Sequence, residues 1–219
     1  MLNLKNIDLI AISSDKPVET IKSINYSSQG IEFGSIKFIT HIKKEDLFDT
    51  NTDNIEFLKI EEITSHQEYN DFCLTLKKYT SNDFILLVQN DSFVTNLDKW
   101  TDEFLEYDYI GSPWTHQQAL DWNLKNRVGN GGFSLRSKKF LEYSSLFNSC
   151  RGTHEDGFLT NWTFEYSQKF GIKFPSPELA LQFSIEKIED VYLPENHFGF
   201  HGNHIYKQAE DYKKLTLKQ

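Results

Sequence analysis

Residues 84–100 read FILLVQNDSFVTNLDKW, and the way this stretch divides decides the fold. Phe84 to Val88 is an apolar run of strand length with no polar alternation, which predicts a strand buried on both faces. It stops on Gln89, Asn90 and Asp91. Apolar residues then recur at Leu97, Trp100, Phe104 and Tyr107, a spacing that predicts a helix with its stripe in the core. A strand buried on both faces belongs to a sheet covered by helices, where ligands sit outside the carboxyl ends of the strands. Gln89, Asn90 and Asp91 therefore stand where a ligand is expected.

The upstream sequence supports this division. Asp8–Ser14 (DLIAISS) and Ser35–His41 (SIKFITH) read as strands, Pro17 opens a helical stretch to about Ser28, and Glu56–Ile60 (EFLKI) reads as a third strand. Ser65 and Glu68 form a capping box, followed by Tyr69, Phe72, Cys73, Leu76 and Tyr79 on one helical face. The alternation of strands and helices predicts an α/β fold with a mixed, mostly parallel central sheet and helices on both faces. Ser13 and Asp15 lie at a second strand end and join the candidate ligand positions.

Downstream the pattern is less regular. YDYIGSPW (107–114) reads as turn-like, and a polar, aromatic loop follows to about Arg127. RVGNGGFSLRS (127–137) reads as strand or turn, and Ser137 as the cap of a helix carrying Phe140, Leu141 and Leu146. HEDGFLTNWTFEYSQKFG (154–171) reads as a helix ended by Gly171.

Composition narrows the function classes. The 219 residues carry 23 Lys and Arg against 32 Asp and Glu, a net charge of −9, which argues against a broad nucleic-acid surface. No apolar run approaches the roughly 20 residues of a membrane span, and the first residues are too interrupted for a secretory signal, so a cytoplasmic location is the expectation. Cys73 and Cys150 lack the spacing of a zinc site. Arg127, Arg136 and Arg151, the whole arginine complement, fall within one 25-residue segment.

Three constellations carry possible chemistry. Asp91 at a strand end can hold a hard divalent cation against phosphates, or cap the following turn. Gly129, Gly131 and Gly132 let a ligand or another chain approach the backbone closely, or form a tight hairpin. Glu155 and Asp156 offer a general base and an orienting acceptor, or favourable charges at a helix start. His201, in FGFHG, is a fourth candidate.

In order, QND, DYIGSPW, GNGGFSLRS, HED, FSIE (183–186) and FGFHG resemble the motifs of a glycosyltransferase-like family long labelled a domain of unknown function. The resemblance runs from about Tyr69 to Gly202. That family looks like the nucleotide-sugar-dependent glycosyltransferases of the GT-A fold. The resemblance implies one GT-A-like domain over residues 1–219, with a nucleotide-binding half (1–95) and an acceptor and catalytic half (96–219). It implies Mn²⁺ or Mg²⁺ held by Asp91 and His201, and a nucleotide-sugar donor, UDP-linked by preference. Donor contacts would come from Ser13, Asp15, Gln89, Asn90, Asp91, Gly131, Gly132 and Arg136. Asp156 would be the base of an inverting transfer, Glu155 its catalytic neighbour, and Trp114 and His154 acceptor contacts. Arg127 or Arg136 either adds charge near the phosphates or pairs with an acid. Trp114 and Trp122 either stack on sugar or pack.

The acceptor would be a saccharide or glycolipid, with no membrane span but room for peripheral association. Gln89 stands where GT-A enzymes carry the first aspartate of Asp-x-Asp, which weakens the expected metal site. A retaining transferase, a metal-dependent sugar-nucleotide hydrolase or nucleotidyltransferase, and a non-catalytic carbohydrate-binding protein remain as alternative readings.

Overall fold

The structure, a computed structural model, describes residues 1–48, 50–187 and 192–216. The first half contributes β1 (Leu2–Ile12), α1 (Pro17–Ser28), β2 (Ile31–Thr40), β3 (Glu56–Lys59), α2 (His66–Cys73) and β4 (Phe84–Val88). The second half contributes β5 (Ser92–Val94), β6 (Tyr109–Pro113), α3 (His116–Asp121), β7 (Val128–Ser137), α4 (Lys138–Ser144) and α5 (Glu155–Gly157). It continues through α6 (Phe164–Phe170), α7 (Pro177–Phe183), β8 (Ser184–Ile185), β9 (Gly199–His201) and α8 (Asn203–Thr216).

A six-stranded sheet has the order β3-β2-β1-β4-β7-β6. The β3, β2, β1 and β4 pairings are parallel, and β7 runs antiparallel to both of its neighbours. The expected mixed, mostly parallel α/β sheet is observed. Alternate side chains serve opposite faces. Leu9, Ala11, Phe38, Leu86 and Val88 pack with Ile21 and Ile24 of α1 and with Ala180 and Phe183 of α7. Ile10, Ile12, Ile39, Ile85 and Leu87 meet Cys73, Leu76 and Leu141 on the other side. Each such aliphatic side chain contributes about 1.5–3 kcal/mol when fully buried.

The central strand starts earlier than expected, at Leu2, which places Asp8 inside the sheet at 1% exposure. Its carboxylate accepts hydrogen bonds from Ser35, Asn82 and Thr80, each at 2.6 Å, and faces Lys37 at 3.2 Å. Those donors make a buried charge tolerable.

Several local expectations are corrected. The helix expected from Leu97 to Tyr107 is two 3₁₀ turns, Leu97–Lys99 and Asp102–Glu106. The Asn96 and Thr101 side chains accept the backbone N–H groups of Asp98 and Glu103, local bonds that compete with a continuous helix. The stripe is nonetheless core, with Trp100 against Phe104 and Phe198. The helix after Ser65 ends at Cys73, and Leu76–Tyr79 is a separate 3₁₀ turn. Glu68 reaches Thr64, one residue before the cap. YDYIGSPW is not a turn: Tyr109–Pro113 forms the edge strand β6, where a proline is tolerated. The loop after it holds α3, opened by a Thr115–Gln118 capping box. GNGGFSLRS is the fully buried strand β7 and not a tight hairpin. The helix expected over 154–171 is split by a π-helical turn, Phe158–Trp162, between α5 and α6, and Gly171 ends it at φ 79°.

A second sheet, β5-β9-β8, sits beside the first, and α8 covers it with Ile205 and Ala209 against Phe93 and Phe200. Glu210 fastens α8 to α1 by pairing with Lys22, and it also pairs with Lys214 one turn on in α8. Burial pushes its carboxyl up, but the two ammonium groups outweigh burial and hold it at about 2 against an ordinary 4.5. The stabilisation is therefore complete above pH 4.5 and is lost as pH falls toward 2. Denaturant unfolding of wild type and Glu210→Gln should show the largest stability gap near neutral pH, closing through that window. A gap that stays constant with pH would remove the ion pairs as its source.

Candidate functional site

The cleft follows from where the strands end. The segments after β1, β3 and β4 open on the same edge of the sheet, and the start of β7 lies beside them because β7 runs the other way. A cavity of about 880 Å³ occupies this edge. Ser13, Ser14, Asp15, Lys16, Ile63 to His66, Gln89 and Asn90 line one side. Trp114, Gln118, Trp122, Leu124, Asn161 and Trp162 line the other. Asn130, Gly131, Gly132, His154, Asp156, Glu186 and His201 lie between.

The β1 end is ordered by its own side chains. Ser13 Oγ accepts the N–H of Lys16 at 3.1 Å and donates to Asp15 at 3.3 Å. Ser14 Oγ accepts the N–H of Ile63 at 2.9 Å, which joins the loop after β3 to the loop after β1.

The β4 end turns sharply. Ser92 Oγ accepts the N–H of Gln89 at 2.7 Å and donates to the carbonyl of Gly132 at 2.8 Å. This sends the chain into β5, whose antiparallel register places Ser92 opposite His201. His201 therefore arrives beside Asp91 and Gln89 from more than a hundred residues away. Its Nε2 lies 3.1 Å from Gln89 Oε1 and 3.4 Å from Asp91 Oδ1, while Nδ1 lies 3.4 Å from Glu186 Oε1. Burial pushes this imidazole down, yet Asp91 and Glu186 outweigh burial and raise it to about 9. Gln89 continues the chain of contacts by donating Nε2–H to the Tyr69 hydroxyl at 2.8 Å. Asp91 sits behind His201 and Gln89 and does not itself line the cleft. Its second oxygen accepts from Asn203 at 3.1 Å.

The glycines of β7 explain how these groups come so close. A Cβ on Gly132 would lie 2.1 Å from His201 Nε2, and one on Gly131 would lie 3.1 Å from Asp156 Cβ. Asp156 accepts the N–H of Gly131 at 3.0 Å and that of Gly157 at 2.6 Å. Burial raises its pKa above the ordinary carboxylate value, against the pull of those two donors.

Of the two alternatives for Arg136, the structure shows the pairing with an acid, and that acid is Glu155. Both are buried, Arg136 at 1% exposure and Glu155 at 5%. They form a two-pronged ion pair, Nη1–Oε1 2.5 Å and Nη2–Oε2 3.4 Å, with Nε of Arg136 donating to Ser134 at 2.9 Å. The Glu155 carboxylate is thus engaged, and both residues reach the cleft lining, where Arg136 Nη2 donates to the Gly131 carbonyl at 3.4 Å. Arg127 likewise bonds the carbonyl of Trp114 at 3.1 and 3.2 Å. Trp114 is packed at 7% exposure with Trp122 against it, whereas Trp122 and Trp162 stand open on the rim. His154 is exposed at the start of α5.

Sequence reasoning assigned no role to Asn130, Glu186, Tyr69 or Trp162. Glu186 accepts from Asn130 Nδ2 and faces His201, so it links β7 to β9. A signal for it existed in FSIE. Tyr69 was read only as core, since nothing local marks its hydroxyl. Among the described residues no group of three His, Cys, Asp or Glu side chains is arranged to hold a metal ion.

A family model described as a protein of unknown function, DUF5672, matches residues 52–201. No curated protein matches by sequence. Among solved structures, the galactosyltransferase LgtC in complex with donor and acceptor sugar analogues aligns over 96% of this chain and 95% of its own, with TM-score 0.53 and 12% identity. The bifunctional glycosyltransferase WbbM, in its apo form, aligns over 94% of this chain and 49% of its own, with TM-score 0.54 and 11% identity. At these identities the likeness shows the fold, which is GT-A-like.

The buried pair makes a direct prediction. Arg136→Met leaves Glu155 uncompensated in the interior and should cost about 3–5 kcal/mol in urea unfolding. The double variant Arg136→Met/Glu155→Leu should recover most of that loss. Equal destabilisation by the single and double variants would mean that the charge is not what matters.

Proposed function

The chain belongs to the DUF5672 family, and we propose that its cleft transfers a sugar from a nucleoside-diphosphate donor to a saccharide acceptor. The observation that supports this reading best is the position of Asp156. Its carboxylate lies in the floor of the cleft, anchored by the Gly131 N–H, between the strand-end segments on one side and the tryptophan-bearing rim on the other. The GT-A-like fold is consistent with it.

The donor's nucleoside would lie along Ser13 to Lys16 and Ile63 to His66, with its diphosphate directed toward Gln89, Asn90 and His201. Lys16, exposed at the start of α1, is the cation nearest that path on the first half. Asp156 would take the proton of the acceptor hydroxyl as its oxygen attacks the anomeric carbon. A carboxyl raised by burial is a better base than an ordinary one at neutral pH. Glu155 holds Arg136 and thereby the backbone of Gly131 on which Asp156 leans, which is a positioning role.

If a divalent ion takes part, Asp91, His201 and Gln89 are the residues that would hold it, His201 as the neutral imidazole and Asp91 from behind the cleft wall. Ligand atoms about 2.1 Å from an ion and at right angles lie about 3 Å apart. His201 Nε2 with Gln89 Oε1 at 3.1 Å and with Asp91 Oδ1 at 3.4 Å has about that spacing. One carboxylate, one imidazole and one amide oxygen would hold the ion weakly, so the donor's phosphates would complete its shell. Bound there, it would neutralise charge on the departing diphosphate.

Calorimetric titration of UDP tests this arrangement. Binding should require Mn²⁺ or Mg²⁺ and be lost in Asp91→Ala. Binding that persists in the variant without metal would take Asp91 and the ion out of the mechanism. In a donor and acceptor screen, Asp156→Asn should lower kcat by about 10²–10⁴-fold while UDP affinity is retained. Unchanged turnover in that variant would remove Asp156 as the base.

A further inference from the structure

The rim of the cleft carries an exposed surface that transfer chemistry alone does not require. Among the described residues the exposed large aromatic side chains are Phe48, Trp122, Trp162, Tyr166 and Phe170, and all but Phe48 belong to the region from α3 to α6. Leu120, 63% exposed, lies next to them in the chain. The two segments are joined side by side. Lys125 bonds Glu165 at 2.7 Å, and Asn126 and Asn161 exchange bonds at 3.0 Å through N–H to Oδ1 and Nδ2 to carbonyl. Trp162, Tyr166 and Phe170 are spaced four residues apart, Trp162 in the cleft lining and Tyr166 and Phe170 on α6 outside it, with Phe170 packed in part on Tyr143. Amines stand over these rings: Lys169 lies 5.9 Å from the Tyr166 centroid and Lys187 5.9 Å from that of Trp122.

The exposed charges of the two rim segments are Lys125, Lys169 and Lys173 against Asp121 and Glu165, a small basic excess in a chain whose totals are 23 basic and 32 acidic side chains. Lys125 is paired with Glu165, which leaves Lys169 and Lys173 as the lysines open to a partner. Tryptophan and tyrosine with lysine beside them suit the polar boundary of a bilayer, where the rings sit among headgroups and the amines meet lipid phosphate.

We propose that this face seats on an anionic bilayer surface, with the cleft mouth turned toward it and the acceptor saccharide carried on a lipid. The lipid-borne acceptor rests on the transferase reading, whereas the membrane contact does not. No helix among the described residues is long and apolar enough to cross a membrane, so the contact is peripheral. Each basic side chain near an anionic surface favours partitioning by about five-fold, which makes lysine content and salt the controlling variables.

Co-sedimentation with vesicles tests the contact. The protein should bind vesicles of phosphatidylethanolamine and phosphatidylglycerol, bind phosphatidylcholine vesicles weakly, and be released by high salt. Tyr166→Ser/Lys169→Glu, outside the cleft lining, should bind anionic vesicles at least about ten-fold more weakly. Circular dichroism and UDP calorimetry on the same variant would show whether fold and donor site are intact. Failure of wild type to bind anionic vesicles, or equal binding by a folded variant, overturns the proposal. So does a concentration-dependent dimer that the same substitutions abolish, since a second copy would then cover the face. Dextran binding at the tryptophans without any vesicle binding likewise overturns it, in favour of a soluble glycan. Vesicle binding with no UDP binding would leave the contact standing and remove the transferase reading.

Discussion

The close approach of side chains to the backbone of β7 is the constraint on which the site depends. This strand runs against its neighbours and forms the seam between the parallel first half and the remainder of the chain. Asp156 reaches it from α5, and His201 reaches it from the second sheet. Both use space that exists only because Gly131 and Gly132 have no side chains. Beneath them the Arg136–Glu155 pair ties the same strand to α5. A buried ion pair adds little net stability, but breaking it is costly. Here it ties α5 to β7 next to the point where Asp156 accepts the Gly131 N–H.

The second sheet does for His201 what α5 does for Asp156: it delivers the side chain to the backbone of β7. Pairing of β5 with β9 carries His201 to Asp91, and pairing of β8 with β9 brings Glu186 to the other ring nitrogen. The imidazole thus joins segments that are distant in the chain. Gln89 extends the network to Tyr69 on α2.

The cleft is asymmetric. Strand-end segments such as Ser13–Lys16, Gln89 and Asn90 give it a polar part. A second part holds Trp114, Trp122 and Trp162, three of the four tryptophans in the protein. Trp100 alone is placed away from it, in the core around Phe198. Exposed Trp122 and Trp162 of that second part adjoin in the chain the exposed Leu120 of α3 and Tyr166 of α6.

The sequence alone determined the α/β class, the strand ends that line the cleft, and the helices capped by Ser65 and Ser137, because strand periodicity and capping chemistry are local properties. It also pointed to Gln89, the GNGG segment, Asp156 and His201, since glycine clusters and carboxylates at element ends are visible in one dimension. Local signals misled at Tyr107–Trp114, where turn residues proved to be an edge strand, and at Leu97–Tyr107, where side-chain caps broke the predicted helix. Only the tertiary structure decided that Arg136 answers Glu155, that Glu186 answers His201, and that Asp91 stands behind the cleft wall. Those pairings join β7 to α5, β8 to β9 and β4's end to α8, contacts between segments that no local pattern couples. The burial that makes each charge need its partner arises only when the sheets close.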